Sequence, residues 1–157
     1  MQPRRVSIEL PDPTATSDLA RRIGADLGPG DVVLLEGGIG AGKTHFARSL
    51  IQSRLTAPED VPSPTFTLVQ IYDSPAGEIW HSDLYRLDHV DSVVELGLLE
   101  AFETAICLVE WPDRLGDLAP MGALRLAFSD GPDDDARQLV ATWTAPRWDT
   151  LLTDEAA

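Results

Sequence analysis

Val6, Ile8 and Leu10 alternate with polar residues, the period of a half-buried or edge strand. Pro11-Asp12-Pro13-Thr14 breaks that pattern. The period then lengthens to a helical one, with Thr16 as the expected N-cap and Leu19, Ala20, Ile23 and Leu27 on one face. Gly28-Pro29-Gly30 closes that helix. Asp31 to Glu36 reads as a short buried strand, and Phe46, Ala47, Leu50, Ile51 and Leu55 predict a helix over 43–55. Three prolines make 57–65 a loop. Phe66 to Tyr72 and Glu78 to Arg86, separated by a Pro-Ala-Gly turn, predict a hairpin.

Further along, Val93, Val94, Leu96, Leu99 and Phe102 predict one or two short helices within 91–103. Ala105 to Val109 is continuously apolar, as in a strand buried on both faces. Trp111-Pro112 ends it, and strands follow at 124–128 and 139–143 around an acidic turn. Helices alternating with strands, with a hairpin in the middle, predict an α/β fold: a P-loop NTPase-like mixed sheet with helices on both faces. Residues 1–157 read as one domain, with a short helix or a flexible tail from about residue 146.

The phosphate-loop expectation rests on Gly37-Gly38-Ile39-Gly40-Ala41-Gly42-Lys43-Thr44, which fits G-x-x-x-x-G-K-[ST] between a strand and a helix. Glycines let the backbone wrap closely, so the N–H groups of Gly38, Ile39, Gly40, Ala41 and Gly42 can face phosphates. The helix N-terminus adds partial positive charge. Lys43 would reach the terminal phosphates and the Thr44 hydroxyl would bind Mg2+. Lys43 is the only lysine beside eleven arginines, a compact ammonium in a chain that otherwise uses guanidinium.

Composition narrows the picture further. The net charge of −14 argues against a broad phosphate-backbone footprint, so contact with RNA would run through a partner. An acidic surface serves solubility equally well. No apolar run approaches a membrane span, and no apolar signal segment follows the initial charges, so the expectation is a cytoplasmic protein. The single cysteine, Cys107, lies in an apolar run and reads as a small buried residue. Asparagine is absent and the one lysine is committed, so an Asn-Lys-x-Asp guanine reader is missing and ATP is the expected nucleotide.

A P-loop enzyme needs a second magnesium handle, usually a carboxylate ending a strand beside the loop strand. Glu110 ends the most apolar strand and is assigned that role. His81, Asp83 and Tyr85 would share one face of a strand. Asp83 would orient water or hold magnesium through water, unless the strand is a solvent-facing edge. His81, His45 and His89 read as structural. Ser63 to Thr67 fits either a loop that orders on a γ-phosphate or a proline-stiffened turn.

Taken together, Gly40-Ala41-Gly42-Lys43-Thr44, Ser63-Pro64-Thr65-Phe66-Thr67-Leu68-Val69, His81-Ser82-Asp83-Leu84-Tyr85-Arg86-Leu87, Glu95-Leu96-Gly97 and Cys107-Leu108-Val109-Glu110-Trp111-Pro112 resemble the TsaE family. That family comprises small bacterial ATPases of tRNA threonylcarbamoyladenosine biosynthesis. Order and spacing agree over about residues 5–140. Gly38 stands where the family often has Asp, and His45 where it often has Thr. The resemblance implies an ATPase that binds ATP or ADP with Mg2+ and works with TsaD and TsaB, meeting tRNA only through that complex. It implies that Thr44 and Glu110 hold the metal and that Lys43, Asp83 and Glu110 serve hydrolysis. It also implies that Thr65 belongs to the site, that Trp111 lies beside the nucleotide, and that adenine lies between Pro13-Thr14 and Arg137. A small-molecule kinase and a nucleotide-binding scaffold without turnover are the alternatives.

Overall fold

The computed structural model describes residues 3–38, 42–55, 61, 68–87, 89, 91–149 and 151. Within them lie β1 (Arg4–Leu10), β2 (Val32–Glu36), β3 (Val69–Ser74), β4 (Gly77–Asp83), β5 (Ile106–Glu110), β6 (Leu124–Asp130) and β7 (Arg137–Trp143). They form one sheet ordered β1-β7-β6-β2-β5-β4-β3. β2 runs parallel to β5 and β6, and β4 runs parallel to β5. The pairs β3–β4, β6–β7 and β1–β7 are antiparallel. The sheet is therefore mixed, as the central hairpin predicts.

Alternate residues of β2 enter two different cores. Val33 and Leu35 face α1 (Pro13–Ala25) and α2 (Lys43–Arg54), packing with Ile23, Phe46, Leu50 and Ile51. Val32 and Leu34 face the other way, onto the layer of α3 (Asp91–Glu95), α4 (Leu98–Thr104) and the 3-10 turn Pro112–Leu118. Residues i and i+2 share a face in any strand, so a continuous apolar run can bury both faces only when both are covered. Gly24 lets α1 approach α2 closely, because a Cβ there would stand 2.8 Å from Leu50 Cγ.

Cys107 is fully buried in the second core, and burial pushes its thiol pKa up to about 12. At the far end of the chain, Pro146–Trp148 forms a 3-10 turn and Trp148 is buried, its Nε1 donating to the Gly122 carbonyl at 2.9 Å.

Local differences from the sequence expectations have clear causes. The N-cap of α1 is Asp12 rather than Thr16, with Asp12 Oδ1 accepting from Ala15 N at 2.8 Å. Proline at the first helical position is pre-organised for a helix, so Asp12-Pro13 starts α1 instead of breaking the chain. β4 stops at Asp83, which leaves Tyr85 in a turn rather than on the strand face. β4 is also interior, between β5 and β3, so it is not a solvent-facing edge. Residues 56–60 and 62–67 lie outside the described residues, and with them most of the expected loop and the start of the expected strand at Phe66.

Candidate functional site

Parallel strands put their carboxyl ends on one edge of a sheet, and the registers show which residues meet there. Glu110 pairs with Leu35 on one side and with Asp83 on the other. Arg137 pairs with both Asp130 and Leu10, so the end of β1 and the start of α1 reach the same edge. The loop after β2 opens there and leads into α2.

Gly42 caps α2 with φ +106, a left-handed conformation that favours glycine. A Cβ at Gly42 would lie 3.7 Å from Arg137 Cγ, so Arg137 packs beside the end of the loop. Arg137 Nη1 donates to the carbonyls of Asp134 and Ala136 at 2.7 and 2.8 Å. Ile39, Gly40, Ala41 and Thr65 are outside the described residues.

Lys43, the first residue of α2, is only 4% exposed. Its Nζ sits 3.6 Å from the centroid of the Trp111 ring and has no hydrogen-bond acceptor among the described residues. Burial lowers its pKa below the usual lysine value, opposed by the negative charges of Glu110, Asp83 and Asp113. An ammonium held on an aromatic face gains cation–π attraction but leaves its hydrogen-bonding capacity unused.

Thr44 follows on the first turn of α2. Its Oγ1 donates to Glu110 Oε1 at 2.9 Å. The other carboxylate oxygen, Glu110 Oε2, accepts from His81 Nε2 at 2.7 Å. Glu110 and His81 are both buried. The β4–β5 register sets His81 opposite Leu108, one period short of Asp83 and Glu110. His81, which reads as structural in the sequence, is therefore part of the site. What hides it is distance along the chain: its partner lies 29 residues away on a different strand.

Asp83 ends β4 beside Glu110, with Oδ1 accepting from the Tyr85 backbone N–H at 3.0 Å. Burial raises its pKa above the usual aspartate value; the Tyr85 hydrogen bond opposes this and the Glu110 charge adds to it. Trp111 leaves β5 at φ 59 and ψ 54, a left-handed conformation uncommon for a bulky residue. That bend carries its ring under Lys43 and against Tyr85, with ring centroids 4.9 Å apart.

Pro13 opens α1, and its carbonyl lies 3.1 Å from His45 Nε2, on the residue after Thr44. The same ring nitrogen lies 3.0 Å from Ser17 Oγ. His45 thus ties the start of α1 to the start of α2. Pro13, Gly42 and Arg137 stand around one corner of the strand-end edge, while Lys43, Thr44, Asp83, Glu110 and Trp111 stand at its centre.

A strand, a glycine turn and a helix, with a carboxylate ending the neighbouring parallel strand, define a P-loop NTPase-like α/β fold. A family model described as "Threonylcarbamoyl adenosine biosynthesis protein TsaE" matches residues 10–139. The tRNA threonylcarbamoyladenosine biosynthesis protein TsaE of Rickettsia bellii is 40% identical over 119 residues, covering 76% of this chain and 83% of that protein. Its counterpart in Bacillus subtilis is 34% identical over 144 residues, covering 91% and 89%. The crystal structure of YdiB from Bacillus subtilis superposes with a TM-score of 0.79 at 27% identity, covering 99% of this chain and 96% of that one. The chain belongs to the TsaE family, whose role is in tRNA threonylcarbamoyladenosine biosynthesis. Among the described residues, no helix is long and apolar enough to cross a membrane.

Proposed function

We propose that this protein is a Mg2+-dependent ATPase required for forming the threonylcarbamoyl group on the adenosine beside the anticodon of tRNAs. In this reading it works in the cytoplasm with TsaD and TsaB, and ATP hydrolysis resets their complex. The observation that carries the proposal is the contact between the Thr44 hydroxyl and the Glu110 carboxylate at the mouth of the glycine turn.

These residues fit the ligands. Lys43 Nζ is a buried cation without a hydrogen-bond acceptor among the described residues, which suits a phosphate oxygen. Thr44 and Glu110 offer oxygen donors only, the set that Mg2+ takes together with substrate phosphates. Among the described residues, no three His, Cys, Asp or Glu side chains gather as an all-protein metal cage, in keeping with an ion that shares its ligands with a nucleotide. When bound, Mg2+ would neutralise charge developing between the β- and γ-phosphates.

The chain's own groups divide the remaining work. The backbone N–H groups of residues 38–42 and the start of α2 would bind phosphates. Lys43 would swing from the Trp111 face onto the terminal phosphate. Glu110 would hold the Thr44 hydroxyl in its metal-binding orientation. Asp83 would orient the attacking water, and its raised pKa brings it nearer to accepting the proton. Pro13 and Arg137 would flank the adenine. The net charge of −14 supports contact with tRNA through TsaD and TsaB rather than directly.

Hydrolysis by the isolated protein is expected to be slow and to rise when TsaD and TsaB are added, since groups supplied by a partner accelerate P-loop sites by about 10³–10⁵. The test is steady-state phosphate release from Mg-ATP across a titration of the purified pair. A flat rate would sink the partnership. Phosphoryl transfer to a small metabolite in place of water would favour the kinase alternative.

A further inference from the structure

We propose that His81 is a positioning residue: it fixes the plane of the Glu110 carboxylate, and through it the Thr44 hydroxyl, for the metal-bound nucleotide. This deepens the ATPase reading above and rests on it.

Both Glu110 oxygens are held. Oε1 accepts from Thr44 on α2 and Oε2 accepts from His81 on β4, so three elements meet at one carboxylate. A carboxylate on a two-carbon stem rotates freely about its terminal bond unless both oxygens are fixed. Rotation would pull Oε1 away from Thr44 and turn the hydroxyl out of register with the phosphates. His81 is fully buried, so its bond does not compete with water. An ionised carboxylate can only accept, so the imidazole donates from Nε2. Its Nδ1 has no partner among the described residues, so the contact with Glu110 is the one that sets the ring's orientation. A histidine kept merely for packing would have no need of this polarity. A leucine would fill similar space between two apolar layers without burying a polar atom.

The experiment uses the full chain and measures ADP affinity by calorimetry, with Mg2+ and with EDTA, for wild type, His81→Leu and His81→Gln. The ratio of the two affinities reads the metal's contribution and needs no turnover. Wild type should bind more tightly with Mg2+. His81→Leu should reduce that enhancement about 10–100-fold, the usual effect of removing a partner of a metal-binding group. Glutamine places an N–H near the position of Nε2, so His81→Gln should recover most of it. A leucine variant with the wild-type enhancement overturns the proposal, as does a glutamine variant no better than leucine. A wild type without any enhancement by Mg2+ would overturn the ATPase reading itself. Nitrogen-15 NMR of the unmodified protein gives a test that does not depend on variants folding. The His81 ring should carry a slowly exchanging proton on Nε2, and a ring protonated only on Nδ1 overturns the proposal.

Discussion

The two ends of β2 hold charge in opposite ways. Before the strand, Asp31 accepts from Gly28 N through Oδ2 at 2.8 Å and from Arg147 Nε through Oδ1 at 2.6 Å. Arg147 also donates from Nη2 to Asp31 and from Nη1 to Asp26 Oδ2 at 3.1 Å, while its guanidinium lies 4.3 Å above the Trp148 ring. Here a fork of donors meets a fork of acceptors. Hydrogen bonds to Asp31, outweighing partial burial, raise the Arg147 pKa further. After the strand, Lys43 Nζ rests on an aromatic ring with no hydrogen-bond acceptor among the described residues, and burial lowers its pKa. One end matches its charges internally and holds the chain together. The other holds an ammonium whose hydrogen-bonding capacity no described residue uses.

That contrast can be broken most severely at Lys43. Lys43→Met keeps the stem and removes the ammonium. Turnover should fall by at least about 10²–10³, the scale of losing one transition-state donor. Stability should move the other way or not at all. The folded-state pKa lies below the unfolded one, so the unfolded chain binds more protons, and burying the ammonium is a cost at every pH below the folded value. Urea denaturation of the ligand-free protein should therefore show a midpoint no lower than wild type. A clear drop would mean that Lys43 is structural.

Arg147→Ala should do the reverse. It leaves Asp31, which is largely buried, without its main partner. The loss should be about 1–2 kcal/mol of stability, held down because Arg147 is itself about a third exposed. ADP affinity should stay within about twofold of wild type, since a change remote from the site removes no contact to the nucleotide. Paired denaturation and calorimetry check both halves.

The smallest effect on stability is expected from Asp83→Asn. A carboxyl with a raised folded-state pKa binds its proton more tightly in the folded chain than in the unfolded one. Stability therefore falls as pH rises through that window, and the deficit persists at neutral pH. Asparagine removes the deficit and still accepts from the Tyr85 N–H. The midpoint at pH 7 should rise slightly and its difference from wild type should vanish at acid pH, while hydrolysis is lost. A midpoint that falls at pH 7 would reverse the sign of the argument.

Much of this was legible in the sequence because it depends on neighbours along the chain. The apolar runs at 31–36 and 105–109 announce strands covered on both faces. The glycine-lysine-threonine series announces the turn between β2 and α2. The carboxylate at Glu110 stands out because it ends the most apolar strand. What stayed hidden depends on pairings across the sheet. Sequence alternation puts His81 on a face but does not say that β4 lies next to β5 and in register with it. The Arg147–Asp31 pair spans 116 residues and carries no local signature. Asp12-Pro13 was ambiguous for a different reason: the same residues that break a strand also begin a helix.

Cys107 has a practical consequence. It is the only cysteine, it is fully buried in an interior strand of the sheet, and burial pushes its thiol pKa up to about 12. Thiolate is the nucleophilic form, so the native protein should be inert to maleimides and to disulfide exchange. A cysteine introduced at an exposed position such as Met121, 93% exposed, would then be the one reactive thiol on an otherwise unlabelled molecule. A spectroscopic reporter can be mounted on this protein without first deleting anything from its core.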